Sequence, residues 1–188
     1  MGRVYEPAED SLLLLRHVEA RVHGSVLDMG TGSGIQAVAA ASKPEVSRVV
    51  AVDIDAGAVE AARRRAREAG VSGKIEFRVG DLFEGLGGER FDWIVFNPPY
   101  LPSEGDADEA SWAGGQTGRE VIERFLSRAA RFLKPGGGIL LVYSTLTGLD
   151  LGRVEASYHV EVLEERPLFF ERLFCVLLRP RQPFLRPR

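Results

Sequence analysis

Short apolar runs alternate with helical patterns along most of this 188-residue chain. The clearest run lies within residues 48–53, where Val49, Val50, Ala51 and Val52 are consecutive. Such a run is typical of a parallel strand that is buried on both faces. Strand-like runs that alternate with helices predict βαβ units and a largely parallel sheet. We therefore expect one α/β domain over residues 1–188, a length that suits a single buried core.

The predicted fold is a Rossmann-like, doubly wound, mostly parallel sheet of seven strands, closed by a C-terminal antiparallel pair. The strands are predicted at residues 25–29, 48–53, 74–79, 91–96, 138–143, 158–166 and 168–179. The helices are predicted at residues 9–22, 34–42, 56–70 and 119–133. Residues 1–22 form an N-terminal helical segment, with Leu12, Leu15 and Val18 on its apolar stripe. Residues 180–188 are expected to be a flexible tail.

Composition excludes several classes of protein. No stretch approaches the roughly 20 consecutive apolar residues that a membrane span needs. The first seven residues lack the apolar core of a signal peptide, so a cytoplasmic protein is expected. A single cysteine, Cys175, excludes an intramolecular disulfide and a cysteine-rich zinc site, and the three histidines have no ligand spacing, so no metal site is predicted. The net charge of -3 makes nucleic acid a less favoured partner than protein.

A glycine-rich loop follows the first predicted strand. Its sequence is Asp28-Met-Gly30-Thr31-Gly32-Ser-Gly34, at the place where Rossmann-like folds meet a cofactor. The spacing is Gly-x-Gly-x-Gly, whereas a dinucleotide pyrophosphate is cradled by Gly-x-Gly-x-x-Gly. The carboxylate of Asp28 would repel a pyrophosphate but suits a zwitterionic ligand with an ammonium group, such as S-adenosylmethionine. A tight turn without a ligand is the alternative for the loop alone.

Acidic residues also follow the second and third strands. Asp53 lies about 20 residues beyond the loop, where an acid would accept hydrogen bonds from ribose hydroxyls. Asp81 would accept from an adenine amino group. Asp53 would instead cap the next helix if it served only structure, although Asp55 fits that role equally well. Asp81 alone would be an ordinary loop residue, but the three acids together favour a cofactor site.

The sequence Asn97-Pro98-Pro99-Tyr100 follows the fourth predicted strand, which must end there because proline cannot extend a ladder. The nitrogen of an amide or an adenine amino group is a poor nucleophile because its lone pair is delocalised. Carbonyl oxygens of the Asn97 side chain and the Pro98 backbone would hold its two N–H groups and aim the nitrogen at a methyl donor. Tyr100 would pack on the planar group. A proline-stiffened turn is the alternative.

Four segments make the sequence resemble the HemK-type methyltransferases, which modify the glutamine of the Gly-Gly-Gln loop in translation release factors. They are Tyr-Glu-Pro-Ala-Glu-Asp-Ser at 5–11, the glycine loop at 28–34, Asn-Pro-Pro-Tyr at 97–100, and Trp-Ala-Gly-Gly at 112–115 with Gly-Arg-Glu at 118–120. The first segment is similar to the short archaeal and eukaryotic branch. The resemblance implies S-adenosylmethionine as the cofactor, a release factor as the substrate, and a small zinc-binding activator protein as a partner.

The resemblance also implies a set of site residues. Asn97 would face both cofactor and substrate. The residues implied to bind the cofactor are Ser11, Asp28, Gly30, Asp53, Asp81 and Leu82, and the predicted set is completed by Thr31, Gly32, Gly34 and Ile54.

Two other functions stay open at this point. The first is an adenine N6-methyltransferase that acts on RNA or DNA, which the arginines of residues 179–188 favour and the net acidity disfavours. The second is a non-catalytic binding module, which would be expected to have lost Asn97 or the acid after the second strand. The leading prediction is a protein-glutamine N5-methyltransferase.

Overall fold

Seven strands build one sheet in the computed structural model, which describes residues 8–99 and 118–181. The strands are β1 (Gly24–Met29), β2 (Val46–Asp53), β3 (Ile75–Val79), β4 (Phe91–Phe96), β5 (Leu133–Ser144), β6 (Tyr158–Pro167) and β7 (Arg172–Pro180). Their order is β3-β2-β1-β4-β5-β7-β6. β1 to β5 pair in parallel, and β7 is antiparallel to β5 and β6. The predicted fold is confirmed.

Helices cover both faces of this sheet. They are α1 (Glu9–Arg21), α2 (Ile35–Ser42), α3 (Ala56–Glu68), α4 (Arg119–Ala129) and α5 (Leu151–Ser157). Successive side chains of a strand point to opposite faces, so each central strand serves two cores. In β1, Leu27 and Met29 join the core that includes Phe125 of α4, whereas Val26 joins the core that includes Val18 of α1 and Ala40 of α2. Burial on both faces explains why the central strands are near-continuous apolar runs.

The boundary between α4 and β5 differs from its prediction. The helix was expected to reach residue 133, but it ends at Ala129 and is followed by a 3-10 turn over Ala130–Phe132. Leu133 already pairs with Phe91, and the next pair joins Trp93 to Gly138. Residues 134–137 therefore form a bulge, in which Lys134 pairs with Asp92 at 2.7 Å. The Lys-Pro-Gly sequence predicts a break, but the strand continues because this bulge accommodates the proline and glycines.

The predicted apolar stripe of α1 was right for Val18 and wrong for Leu12. Leu13, Leu14 and Val18 are buried, whereas Leu12 is 46% exposed and Leu15 is only partly buried. Four consecutive leucines give no periodicity, so the helix itself could not specify which face meets the sheet. The contacts of α1 with α2 and β5 determine that face. The helix α5 was not predicted at all.

The C-terminal hairpin of β6 and β7 was predicted within a few residues of its bounds. Tyr158 pairs with Pro180 at its base, and Arg181 still donates its backbone N–H to the Ser157 carbonyl at 2.9 Å. The first two residues of the expected flexible tail, Pro180 and Arg181, are therefore part of the ordered hairpin. The remainder of that tail, residues 182–188, lies outside the described residues.

Within residues 8–99 and 118–181, no helix is both long and apolar enough to cross a membrane. In the same ranges, no group of three or more His, Cys, Asp or Glu side chains is arranged to hold a metal ion.

Gly34→Ala is expected to destabilise the fold more than Gly70→Ala. Both glycines have positive φ, 81° and 72°, so each substitution costs about 1–2 kcal/mol in backbone strain. A Cβ on Gly34 would lie 2.8 Å from the Cα and Cβ of Ala62 in α3, whereas Gly70 has nothing within 4 Å. The clash should add about 1–3 kcal/mol at Gly34. Urea unfolding of the two variants measures the difference, and equal losses would show that α2 and α3 move apart freely.

Candidate active site

The strand order brings the predicted site together at one edge of the sheet. β1 is flanked by β2 on one side and β4 on the other, so the loops that leave these three strands are neighbours. Met29 pairs with both Val52 and Phe96. The glycine loop therefore lies between Asp53, which ends β2, and Asn97, which follows β4.

The glycine loop turns sharply from β1 into α2. Gly30, Gly32 and Gly34 all have positive φ, 62°, 53° and 81°, a conformation that other residues rarely adopt. A Cβ on Gly30 would meet the Phe96 ring at 3.3 Å, whereas the nearest atom to one on Gly32 is 4.0 Å away. The loop is thus tightly packed at its start and open at its centre, where a ligand can approach the backbone.

The Asp28 carboxylate is held inside the protein at the end of β1. Its side chain accepts from the Thr31 hydroxyl at 2.6 Å and from the Ala37 backbone N–H of α2 at 3.0 Å. Burial raises the pKa of Asp28 from 3.8 to about 7, and Asp53 nearby acts in the same direction, although the two hydrogen bonds oppose the rise. Near neutral pH, a cationic ligand group would stabilise the ionised form.

The Asp53 carboxylate closes the other side of the loop. It accepts from the Gly32 N–H at 2.8 Å and from the Asp55 N–H at 3.0 Å. Burial is the largest cause of its raised pKa, which these hydrogen bonds partly offset. The cap of α3 is Asp55, whose carboxylate accepts from Gly57 N–H at 2.7 Å. The structure therefore does not use Asp53 as a helix cap, and Ile54 beside it is 49% exposed.

Asp81 and Leu82 follow β3 on the far side of Asp53. Gly80 N–H donates to the Asp53 carbonyl at 2.9 Å, which ties this segment to the end of β2. Asp81 pairs with Arg124 of α4. Leu82 is the one non-glycine residue in the described part of the chain with positive φ, 51°, although it is buried. Such a conformation costs about 1–3 kcal/mol and is often found at functional sites.

Asn97 is oriented by side chains from α1. Its Nδ2 donates to Asp10 Oδ2 at 3.0 Å and to Ser11 Oγ at 3.3 Å. A carboxylate oxygen can only accept from this amide, so the Nδ2 atom must face Asp10 and the Oδ1 atom must face away. That Oδ1 is buried and has no hydrogen-bond partner among the residues that the structure describes. An unpartnered buried acceptor is costly and points to a donor from a bound molecule.

The remaining residues of the predicted catalytic motif are placed only in part. Pro98 is buried beside Asn97, and Pro99 is exposed. Tyr100 lies outside the described residues, as do residues 5–7 and 112–115 of the segments that carried the resemblance.

Two buried polar residues of the site were missed from the sequence. Asp10 is 4% exposed and holds Asn97, as described above. Gln36 is 5% exposed, and its Nε2 donates to the Ser11 carbonyl at 2.8 Å. Asp10 could have been suspected from its place next to Ser11 in the segment at 5–11. Gln36 gives no such signal, because a single polar residue in an alanine-rich helix does not reveal that it is buried.

Residues 8–166 match the methyltransferase small domain family. This chain belongs to that family. The predicted class of enzyme, a methyltransferase that uses S-adenosylmethionine, is confirmed.

Relatives of this methyltransferase include glutamine-modifying enzymes. A protein of Methanocaldococcus jannaschii, provisionally named as a protein N5-glutamine methyltransferase, is 41% identical over 181 residues, which are 92% of this chain and 90% of the relative. A release factor glutamine methyltransferase of Xylella fastidiosa is 35% identical over 142 residues, 71% of this chain and 50% of the relative. A ribosomal protein uL3 glutamine methyltransferase of Bradyrhizobium diazoefficiens is 40% identical over 124 residues, which are 61% of this chain and 39% of the relative. This chain thus matches half or less of the length of the latter two.

Solved structures share the fold of this methyltransferase. The T. thermophilus 16S rRNA N2 G1207 methyltransferase, in complex with AdoMet and guanosine, superposes with a TM-score of 0.71 and is 26% identical, over 94% of this chain and 44% of that one. The ribosomal protein L11 methylase of Lactobacillus delbrueckii subsp. bulgaricus superposes with a TM-score of 0.65 over 91% of this chain and 79% of that one. At 20% identity, this similarity shows a shared fold and nothing more.

In the variant Asp28→Asn, the free energy of unfolding is expected to depend less on pH than in the wild-type methyltransferase. The pKa of Asp28 rises from 3.8 to about 7 on folding, so in this window the folded state keeps a proton that the unfolded state releases. The stability that this proton contributes is present below about pH 4 and is lost as the pH approaches 7. The asparagine variant has no such proton. Relative to the variant, the wild type should lose a few kcal/mol of unfolding free energy over this range, at about 1.4 kcal/mol for each unit of pKa shift.

Urea unfolding of both proteins without cofactor, at intervals from about pH 4.5 to 8, measures this difference. The other titratable groups are common to both proteins and largely cancel. Parallel curves for the two proteins would contradict the buried, protonated Asp28.

Proposed function

We propose that this methyltransferase transfers a methyl group from S-adenosylmethionine to the side-chain amide nitrogen of glutamine, in the Gly-Gly-Gln loop of a class I translation release factor. The observation that carries the proposal is the buried Oδ1 of Asn97, an acceptor without a partner among the described residues, at the edge where the glycine loop lies. A primary amide offers the two N–H donors that this acceptor and the adjoining Pro98 carbonyl require.

The residues of the glycine loop and the strand ends fit the cofactor. Asp53 would bind the ribose hydroxyls, in exchange for part of its present bonding to Gly32 and Asp55. The negative charge of Asp28 would stabilise the ammonium group of the cofactor from beneath the glycine loop. Asp81 and Leu82 would bind the adenine, beside Ile54. The open space over Gly32 lets the ligand approach the backbone. Four of the remaining proposed contacts come from the loop and α1, namely Gly30, Thr31, Gly34 and Ser11.

The chemistry divides between the cofactor and this chain. Bound S-adenosylmethionine supplies an electrophilic methyl group on a sulfonium. Asn97 and the Pro98 carbonyl hold both amide hydrogens, which draws the nitrogen lone pair out of conjugation and directs it at that methyl group. Pro99 stiffens the backbone of the loop, and Tyr100 would pack against the planar amide. As the C–N bond formed, the C–S bond of the sulfonium would break and leave a neutral thioether. The adjoining carbonyls would stabilise the positive charge on the nitrogen until one N–H proton passed to water.

Asp10 and Ser11 have a positioning role in this mechanism. By accepting from Nδ2, they fix the rotation of the Asn97 amide, so that Oδ1 rather than Nδ2 faces the substrate. Gln36 holds the Ser11 carbonyl, which couples the start of α1 to the helix that follows the glycine loop. Such fixed geometry matters because the reaction depends on alignment rather than on a strong base.

The choice of glutamine over adenine is supported by relatives that are named as glutamine methyltransferases, one of which matches 92% of this chain at 41% identity. The net charge of -3 also disfavours a polyanionic substrate. The choice of a release factor among proteins is supported by the names of relatives such as that of Xylella fastidiosa. A ribosomal protein is the second candidate, because other relatives are named for uL3.

A small zinc-binding activator is proposed as a partner. The surface offered to it is the outer edge of β3, one of the two terminal strands of the sheet, where Val79 is 57% exposed. An open strand edge can pair with a strand of another chain and would be covered in the complex.

Purified release factor is expected to accept labelled methyl from S-adenosylmethionine in the presence of this protein. A release factor whose loop glutamine is replaced by alanine should accept none, and neither should an adenine-containing oligonucleotide. Labelling of the oligonucleotide but not of the release factor would contradict the proposal. The same reactions with purified uL3 distinguish the two protein substrates.

Asn97→Ala is expected to lower kcat by at least about 100-fold, because the acceptor for the reacting amide is lost. The Kd for S-adenosylmethionine should change by no more than about threefold, since the glycine loop, Asp28 and Asp53 are retained. Single-turnover transfer to release factor and calorimetric binding of the cofactor measure the two effects. Near wild-type transfer by a folded variant would overturn the role of Asn97.

A further inference from the structure

The carboxyl ends of the parallel strands lie together at one end of the sheet, and β4 divides this end into two halves. The glycine loop, Asp53 and Asp81 follow β1, β2 and β3, so the cofactor half lies on one side of Asn97. The other half belongs to β5, β7 and β6, and no residue of the proposed cofactor set comes from it. The segments that emerge there are Thr145–Thr147, after β5, and the turn at 168–171 between β6 and β7. We therefore expect a substrate that reaches Asn97 from the side opposite the cofactor to approach over this second half.

The turn between β6 and β7 projects from the same end of the sheet as the site. Phe96, just before Asn97, is level with Leu141 of β5, and Ser144 of β5 is level with Leu173 of β7. The tip at Phe170 is a further three residues along. At about 3.3 Å per residue, the tip rises roughly 20 Å above the level of Phe96. An interface of about 800 Å² per partner is roughly 30 Å across, so one docked protein can contact both Asn97 and the tip.

The tip carries two exposed aromatic side chains. Phe169 is 91% exposed and Phe170 is 84% exposed, and their rings are edge-to-face with centroids 4.6 Å apart. Leu146, in the neighbouring segment, is 50% exposed. Two-residue hairpin loops normally use Gly, Asn or Asp, and neither phenylalanine has the positive φ that such turns require. Turn formation therefore does not explain the two aromatic residues, and because both stay exposed they contribute almost no burial free energy to folding.

The tip is nevertheless firmly held. Leu168 N–H donates to the Glu171 carbonyl at 2.8 Å, and the Glu171 carboxylate accepts from the Ser144 hydroxyl. Arg172 N–H donates to Thr145 Oγ1 at 3.1 Å, which fixes the turn to the end of β5. Because the backbone of the turn is already fixed, little of its conformational entropy would be lost on binding, and aromatic residues including Phe are enriched at the cores of protein interfaces.

The hairpin is also tied to the residues that orient Asn97. Arg166, at the end of β6, pairs with Glu9 at 2.5 Å, and Glu9 directly precedes Asp10 and Ser11 at the start of α1. The arginine on β7 beside the tip, Arg172, is paired with Glu165 at 2.8 Å. Because both arginines are paired with carboxylates, the tip offers aromatic contact more than positive charge, which suits a protein surface better than a phosphate backbone.

We infer that Phe169 and Phe170 form a docking contact for the body of the protein substrate, outside the loop that carries its target glutamine. This inference rests on the proposed function. It predicts two-part recognition, in which the glutamine loop enters the site at Asn97 while an apolar patch elsewhere on the same protein covers the hairpin tip.

The double variant Phe169→Ser/Phe170→Ser tests the inference. With full-length release factor, kcat/KM should fall by at least about tenfold, chiefly through KM, because the aromatic anchors are lost. With a short peptide that contains only the Gly-Gly-Gln loop, kcat/KM should be unchanged, as should the KM for S-adenosylmethionine. Val162→Ser is the matched control. It removes a 53% exposed apolar side chain from the same hairpin, away from the tip, and should leave both reactions unchanged.

Several outcomes would overturn the inference. Full activity of the double variant on the intact release factor would do so, and so would equal losses on protein and peptide, which would indicate damage to the site itself. If sedimentation showed that the wild type is a dimer and the double variant a monomer, the tip would be a contact with a second copy of the chain. Binding of RNA by the wild type that the double variant loses would assign it to nucleic acid. If the unaltered enzyme failed to methylate release factor and peptide alike, the proposed function would fail first, and this inference with it.

Discussion

The placement of β1 between β2 and β4 is the constraint on which the site depends. Parallel pairing aligns Met29 with Val52 on one side and with Phe96 on the other, so that three chain segments leave the sheet at one level. Neighbouring strands lie about 4.8 Å apart, which sets the spacing between the glycine loop, Asp53 and Asn97 before any side chain is considered. These groups therefore stand on strands buried in two cores rather than on long loops. A reaction that depends on alignment benefits from such a rigid base.

The site concentrates features that oppose folding. Asp28 and Asp53 are carboxylates whose burial raises their pKa, and they are tolerated because Thr31, Ala37 and Gly32 donate to them. Leu82 holds a positive φ, and the Asn97 Oδ1 is buried without a donor from the described residues. For two of these features a bound molecule would offset the cost: a cation near Asp28 and a hydrogen-bond donor near the Oδ1 of Asn97. Costs that a bound molecule relieves are typical of preorganised active sites.

Recognition is organised by the same sheet. The cofactor half of its edge presents carboxylates and glycines, which suit a small cationic ligand bearing ribose. The other half presents a rigid hairpin with two exposed phenylalanines, which suits a larger apolar surface. The Glu9–Arg166 pair joins the hairpin to the start of α1, and Asp10 and Ser11 join α1 to Asn97. Contacts made at the hairpin by the proposed protein substrate would thus be structurally continuous with Asn97, the residue proposed to orient its target amide.

The existence of the strands, the glycine loop and the motif at Asn97 could be predicted from sequence, because each has a local cause. A strand buried on both faces needs a continuous apolar run such as Val49–Val52, positive φ needs glycine, and proline ends a ladder. Tertiary structure alone decided which face of α1 is buried, because Leu12, Leu13, Leu14 and Leu15 are locally equivalent. It also decided that residues 134–137 bulge rather than break the strand, and that Asp55 caps α3 while Asp53 binds Gly32. Above all, it brought Asp10 to Asn97 across 87 residues of chain. That contact follows from the packing of α1 against the sheet, which no local pattern encodes.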